Sequence, residues 1–186
     1  GDKLDIGRVV SLYNPSTYEW EDQPLTSKGK DNFKNFLEQA LVTNNNISVS
    51  QKGEFGSVRA SLNHVYNKGQ YPNSKQQKLT FSVGGVMDYK KFHLDAEIAY
   101  NKNIFSNNNG AGYGMGSYMY NLLIWTGAEY DIRDYRNYWR EGKVQEEQNW
   151  MDDWWYDNPY FLAYERTNQR HQDLTNGSLN MSLELT

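Results

Sequence analysis

Apolar and polar positions alternate along several stretches of the chain. From Lys78 to Tyr89, Leu79, Phe81, Val83, Met87 and Tyr89 share one parity, while Lys78, Thr80, Ser82 and Asp88 share the other. From His93 to Asn107, Leu94, Ala96, Ile98 and Tyr100 alternate with His93, Asp95, Glu97, Asn101 and Asn103. Side chains on a strand point to opposite faces with period two, so each stretch predicts a ribbon with one apolar and one polar face. The two meet at Tyr89–Lys90–Lys91, which predicts an antiparallel hairpin. Both exceed the common strand length of about 5–6 residues and match the roughly 9–11 tilted residues that cross a bilayer.

The same period predicts a strand over 46–52, with Ile47 and Val49 on one face, and a second over 57–68, with Val58, Ala60, Leu62 and Tyr66 on one face. The turn Gly53–Glu54–Phe55–Gly56 separates them. A last strand within 169–186 sets Leu179, Met181, Leu183 and Leu185 against Ser178, Asn180, Ser182 and Glu184. Phe33, Phe36, Leu37, Ala40 and Leu41 fall at helical spacing behind Asp31, which predicts a short amphipathic helix near 31–42. Residues 1–30 show no sustained period and read as irregular loop, with Asn14–Pro15 and Gln23–Pro24 as punctuation. The chain thus divides into four regions: an irregular segment with a short helix (1–45), four antiparallel strands in two hairpins (46–107), a long aromatic loop (108–168) and a fifth strand (169–186).

Connections run short (53–56), longer (69–77), short (90–92) and very long (108–168). Outer-membrane barrels alternate tight periplasmic turns with long extracellular loops in this way. The expected fold class is therefore all-β, with antiparallel strands forming part of a transmembrane β-barrel wall that five strands leave open. Leu79, Phe81, Val83, Leu94, Ala96 and Ile98 are then the lipid-facing positions. An ordinary antiparallel sheet with one wet face gives the same alternation, so a soluble β-sandwich that binds carbohydrate through its aromatic loop stands as the alternative. Composition changes little: mean hydropathy of −0.90 fits a water-facing barrel lumen as well as a soluble domain. A net charge of −4 gives no nucleic-acid footprint, and without cysteine there is neither a disulfide framework nor a thiolate metal site. The N-terminal stretch GDKLDIGRVV has no signal-peptide pattern, which leaves a mature chain or a piece of a longer one.

Three stretches resemble the SusC/RagA family of TonB-dependent outer-membrane transporters: KDNFKNFLEQALVTNNNISVSQKGEFGSVRASLNHVYNKGQYPNS (30–74), YDIRDYRNYWREGK (130–143) and DNPYFLAYERTNQRHQDLTNGSLNMSLEL (157–185). The resemblance covers most of the chain in family order, with DNPYFLAYE expected as a return strand. It departs at Lys52, where the family has glycine, and lacks the TonB box, the plug domain and most of the barrel. It implies a partial nutrient importer of the Gram-negative outer membrane, without enzymatic activity. It also implies oligosaccharide or peptide uptake with a SusD-like surface lipoprotein, and coupling to TonB through plug segments not present here.

Chemistry is concentrated in the long loop, which holds five of six tryptophans and nine of fifteen tyrosines. Trp125, Trp139, Trp150, Trp154, Trp155 and Tyr156 are the candidate substrate contacts, because aromatic faces beside carboxylates and amides suit sugar rings. The competing expectation is that these rings pack the loop against itself. The stretch YMYNLLIW (118–125) predicts a helical turn in such a loop core. Asp152, Asp153 and Asp157 lack calcium-loop spacing, and His64, His93 and His171 lack metal-ligand spacing. No nucleophile elbow or phosphate loop is present, and GAGYGMG (110–116) fails dinucleotide spacing, so neither a catalytic group nor a cofactor is expected.

Overall fold

The computed structural model describes residues 3–106, 112–152 and 154–185. Asn107 at the end of the predicted strand 93–107, Gly110 and Ala111 of the glycine-rich stretch, Asp153 and Thr186 lie outside the described residues. The chain is mostly antiparallel β-sheet with little helix and divides into two compact units.

One unit comprises 40–68, 75–106 and 169–186 and is a five-stranded antiparallel sheet. Its strands are β3 (Leu41–Lys52), β4 (Gly56–Lys68), β5 (Lys75–Tyr89), β6 (Phe92–Ser106) and β7 (Gln169–Leu183), each paired with its neighbour in that order. The sheet is open, with β3 and β7 at its edges. Register carries the alternation from strand to strand, because directly opposed residues share a face. One row reads Ile47, Leu62, Phe81, Tyr100, Thr175, and the next Val49, Ala60, Val83, Ile98, Gly177. Further rows hold Val58, Gly85, Ala96 and Leu179, then Met87, Leu94 and Met181, then Tyr89, Phe92 and Leu183. The opposite face places Ser48, Ser61, Ser82, Ala99 and Asn176 in one row and Asn46, Asn63, Thr80, Asn101 and Leu174 in another. Hydrogen bonds run across that face between the Ser61 and Ser82 hydroxyls (2.7 Å), from Thr80 to Asn101 (2.8 Å) and between Asp88 and His93 (2.5 Å).

The second unit comprises 1–39, 69–74 and 107–168. It contains the hairpin β1 (Val9–Asn14) and β2 (Glu19–Pro24), and the short helix α1 (Asn32–Phe36). An α-turn, α2 (Tyr118–Tyr120), runs into a π-helical turn (Asn121–Trp125). A 3₁₀ turn (Ile132–Tyr135) and the helix α3 (Pro159–Tyr164) complete it. Its core gathers Tyr13, Phe36, Tyr118, Leu122, Ile132, Tyr135, Trp150, Tyr160 and Leu162. Buried asparagine amides bind main chain far away in sequence. Asn32 donates to the Tyr130 carbonyl (2.8 Å) and accepts from the Ile132 amide (2.9 Å), and Asn149 donates to the Pro15 and Asn137 carbonyls. A glycine is required at 29, since a Cβ there would stand 2.0 Å from the Tyr130 carbonyl oxygen.

Four expectations need correction. Residues 9–24 form a hairpin rather than irregular loop. Its second strand, EWEDQP, hides in sequence because three acids occupy positions where an apolar alternation would show. The turn is held by Asn14, whose side chain accepts from the Ser16 amide (3.0 Å) and donates to Glu21 (2.8 Å). The helix near 31–42 stops at Phe36, with Leu37 already extended and Asp31 making no side-chain cap. So short a helix is marginal, and the twelve paired residues of β3 compete for the chain beyond it, so that Leu41 opens a strand that starts five residues before Asn46. Last, DNPYFLAYE is a helix start and not a return strand. Asn158 caps α3 by accepting from the Tyr160 amide (2.8 Å), and Pro159 occupies the first turn, where its missing N–H is no loss.

Candidate functional site

Two features stand out, one in each unit. On the sheet, no residue of β3–β7 belongs to the buried hydrophobic core found among the described residues. Leu79, Phe81 and Ile98 are exposed, and Val83, Leu94 and Ala96 are half-buried against their own neighbours. Four of these six line a groove of about 430 Å³ over Gly85, together with Val58 and Met87. Ile47, Val49, Leu179 and Met181 extend the bare apolar surface to both edge strands. Aromatic rings mark its margins. Phe55 meets Tyr89 edge-on (5.2 Å) beside Phe92, and Phe81 and Tyr100 sit in the far row, where the Tyr100 hydroxyl donates to Asp173.

The second feature is an aromatic platform in the other unit. The Ser117 hydroxyl accepts from the Tyr120 amide (3.3 Å) and starts α2, and the Thr126 hydroxyl donates to the Asn121 carbonyl (3.0 Å) at the end of the π-turn. Asn121 is fully buried and ties this segment to residue 157, donating to the carbonyls of Met115 (3.2 Å) and Asp157 (3.0 Å). Trp125 then lies flat on Tyr156, with ring centres 3.9 Å apart and planes 15° apart. Tyr120 meets Trp125 edge-on (6.4 Å), and Tyr113 packs on Tyr120 (4.6 Å). A hydrogen bond to Tyr120 raises the Tyr113 phenol, while bonds from Tyr113 and Trp125 lower that of Tyr120. Desolvation, then the neighbouring Tyr120 and Asp152, raises the phenol of Tyr156.

Of the six loop aromatics predicted as substrate contacts, the structure brings two together, Trp125 and Tyr156. Trp154 and Trp155 lie just before Tyr156 in the same segment and are 91% and 70% exposed. Trp150 is a core residue, 2% exposed and edge-on to Tyr135 at 5.0 Å, so no substrate reaches it. Trp139 packs on Phe161 (5.2 Å), donates to Glu165 (3.3 Å) and bridges Gln148, which fixes it as local packing. Tyr113 and Tyr120 were missed. The signal for Tyr113 was a large ring set between glycines. Among the described residues no group of acids and histidines has the geometry to hold a metal. Asp157 is occupied by Gln148 (2.8 Å) and Arg166 (3.1 Å).

The fold and these surfaces define an antiparallel β protein in which the apolar side chains of the five-stranded sheet are exposed or half-buried among the described residues, with a second unit packed around aromatic rings. No family model matches the chain, and no curated protein does.

Proposed function

We propose that the chain is part of the wall of a transmembrane β-barrel together with a surface-exposed unit, in an outer-membrane nutrient importer of the SusC/RagA kind. The observation that carries this reading is the continuous apolar face of the sheet, bare from β3 to β7. Along β5 the band runs from Phe81 to Tyr89, eight steps of about 3.4 Å, or roughly 27 Å, because Leu79 shares its row with Asn45, His64, Lys102 and Asp173. Tilted by about 40°, that spans roughly 21 Å, of the order of the ~25 Å apolar belt of such barrels. Aromatic margins suit the lipid interfaces. The serine, threonine and asparagine rows on the other face suit a watery lumen. The importer takes up oligosaccharides or peptides, partners a SusD-like lipoprotein, and is energised through TonB by segments not in this chain. The role is transport rather than catalysis.

The chain contains no cysteine, which permits a direct test. Single cysteines at Val83, Ile98 and Leu179, and at their neighbours Ser82, Glu97 and Ser178, are labelled with an environment-sensitive dye after refolding into phospholipid vesicles. Blue-shifted emission quenched by spin-labelled acyl chains is expected at the first three and not at the second three. Equal quenching of both sets, or of neither, overturns the reading. A soluble sandwich predicts neither.

A further inference from the structure

The platform formed by Tyr113, Tyr120, Trp125 and Tyr156 has a charge setting that separates the two substrate classes of the proposed importer. The described segments that supply its rings, 112–132, 144–152 and 154–165, contain Glu129, Asp131, Glu146, Glu147, Asp152, Asp157 and Glu165, with no lysine, arginine or histidine. Some of these acids are already matched: Asp131 by Arg133 (2.5 Å), Glu147 by Arg140 (3.0 Å) and Asp157 by Arg166 (3.1 Å). Asp152 and Glu129 make no ion pair among the described residues, and the Asp152 carbonyl accepts from the Tyr156 amide (3.2 Å), which holds Asp152 one turn before that ring. Aromatic faces carry negative charge density and attract cations, and an unmatched carboxylate beside them adds to the same attraction. A neutral saccharide gains stacking from the rings but nothing from the field.

The exposed rings also form an extended surface rather than a cage. Tyr113, at one end, is 92% exposed, and Trp154 and Trp155 in the segment that supplies Tyr156 are exposed as well. Trp125 keeps 44% exposure although one of its faces lies on Tyr156. A spread of open rings fits successive side chains of an extended polymer better than one small ion.

We infer that this platform binds a cationic peptide segment, whose guanidinium or ammonium groups sit over the Trp125 and Tyr120 rings within reach of the Asp152 carboxylate. The inference rests on the surface unit being the substrate-contacting part of the proposed importer, and it selects peptide over glycan.

The test is calorimetric titration of the full chain in non-ionic detergent with three probes: a blocked tetra-arginine peptide, a blocked tetraglutamine peptide and maltotetraose. The arginine peptide is expected to bind most tightly, and to weaken as salt rises across the range where exposed charges are screened. Trp125→Ala should weaken it between about 3- and 30-fold. Neither Asp152 nor Trp154 is buried, so Asp152→Asn and Trp154→Ala should each weaken it several-fold while leaving the near-ultraviolet circular dichroism unchanged. Equal or tighter binding of tetraglutamine or maltotetraose, salt-independent binding, or an arginine affinity unchanged in the Asp152 and Trp154 variants overturns the inference. So does an absence of binding by natively folded protein. The labelled-cysteine measurement reads the sheet alone, so a native parity pattern with failed peptide binding removes this inference and leaves the barrel-wall reading in place.

Discussion

Asn158 offers the sharpest test of how the aromatic unit holds together. It is fully buried, and its amide donates to the carbonyls of Tyr135 (2.9 Å) and Asn149 (3.1 Å) while its oxygen caps α3. Asn158→Ala removes the cap, worth about 1 kcal/mol. It also leaves two carbonyls without their donor in a dry site, at about 1–3 kcal/mol each. A loss of about 3–7 kcal/mol is therefore expected, against total stabilities of about 5–15 kcal/mol. For a unit of about a hundred residues, that lowers the melting temperature by at least about 12 °C. The assay is thermal unfolding followed by near-ultraviolet circular dichroism of the full chain in detergent, a signal dominated by Trp150 and the tyrosines packed around it. Asn158→Asp keeps an acceptor for the cap but turns a second oxygen towards the same two carbonyls. At neutral pH it should be at least as damaging. Asn176→Ala, on the exposed sheet, is the control and should not move the transition. A shift below about 4 °C for Asn158→Ala would refute the claim that this amide cross-links the unit.

Gly29→Ala forces a methyl into the Tyr130 carbonyl and the Asn32 amide, and should destabilise the same transition by about 1–3 kcal/mol, read in the same melt. Trp150→Ala should cost about 3–5 kcal/mol and abolish most of the near-ultraviolet signal, whereas Trp154→Ala should leave the melting temperature unchanged. Burial and then the nearby Asp131 raise the carboxyl of Asp134 above its ordinary value of 3.8. Its charge therefore opposes folding above the raised folded value, and that penalty disappears below the unfolded one. Asp134→Asn should raise the melting temperature at pH 7. The gain should shrink as pH falls through the raised value and vanish below about pH 4, as melts across a pH series would show. Asp131 has the opposite sign, because hydrogen bonds from Arg133 lower its carboxyl. Asp131→Asn should cost stability at pH 7 and nothing once pH falls below the lowered folded value.

The sheet was legible in the sequence because a strand pair with one polar face writes its period directly into the chain. Leu79, Phe81 and Val83, and their partners Tyr100 and Ile98, fall on the face their parity demanded. Boundaries slipped where a second pattern overlapped the first, as at Leu41, which satisfies both helical spacing and strand pairing. The aromatic unit was far less legible. Its core joins Tyr13, Phe36, Tyr135 and Trp150, which are separated by tens to more than a hundred residues, and no local period records such a meeting. Buried asparagines were invisible for a related reason. Asn32, Asn149 and Asn158 look like ordinary turn residues until their distant carbonyl partners are known. Among the tryptophans, residue type alone did not separate Trp150, packed on Tyr135, from Trp154, facing solvent.

The junction at Ser106 and Gln169 has a kinetic consequence. These residues are opposed in the ladder between β6 and β7, yet about sixty residues intervene. Closing so long a loop from an unstructured chain costs about 3.7 kcal/mol of chain entropy beyond a constant. The hairpins joining β3 to β4 and β5 to β6 cost far less, since their turns are only a few residues long. Assembly should therefore proceed with four strands zipped early and the fifth waiting. Compaction of the intervening stretch around Trp150 shortens the tether and sets the pace at which the fifth strand arrives.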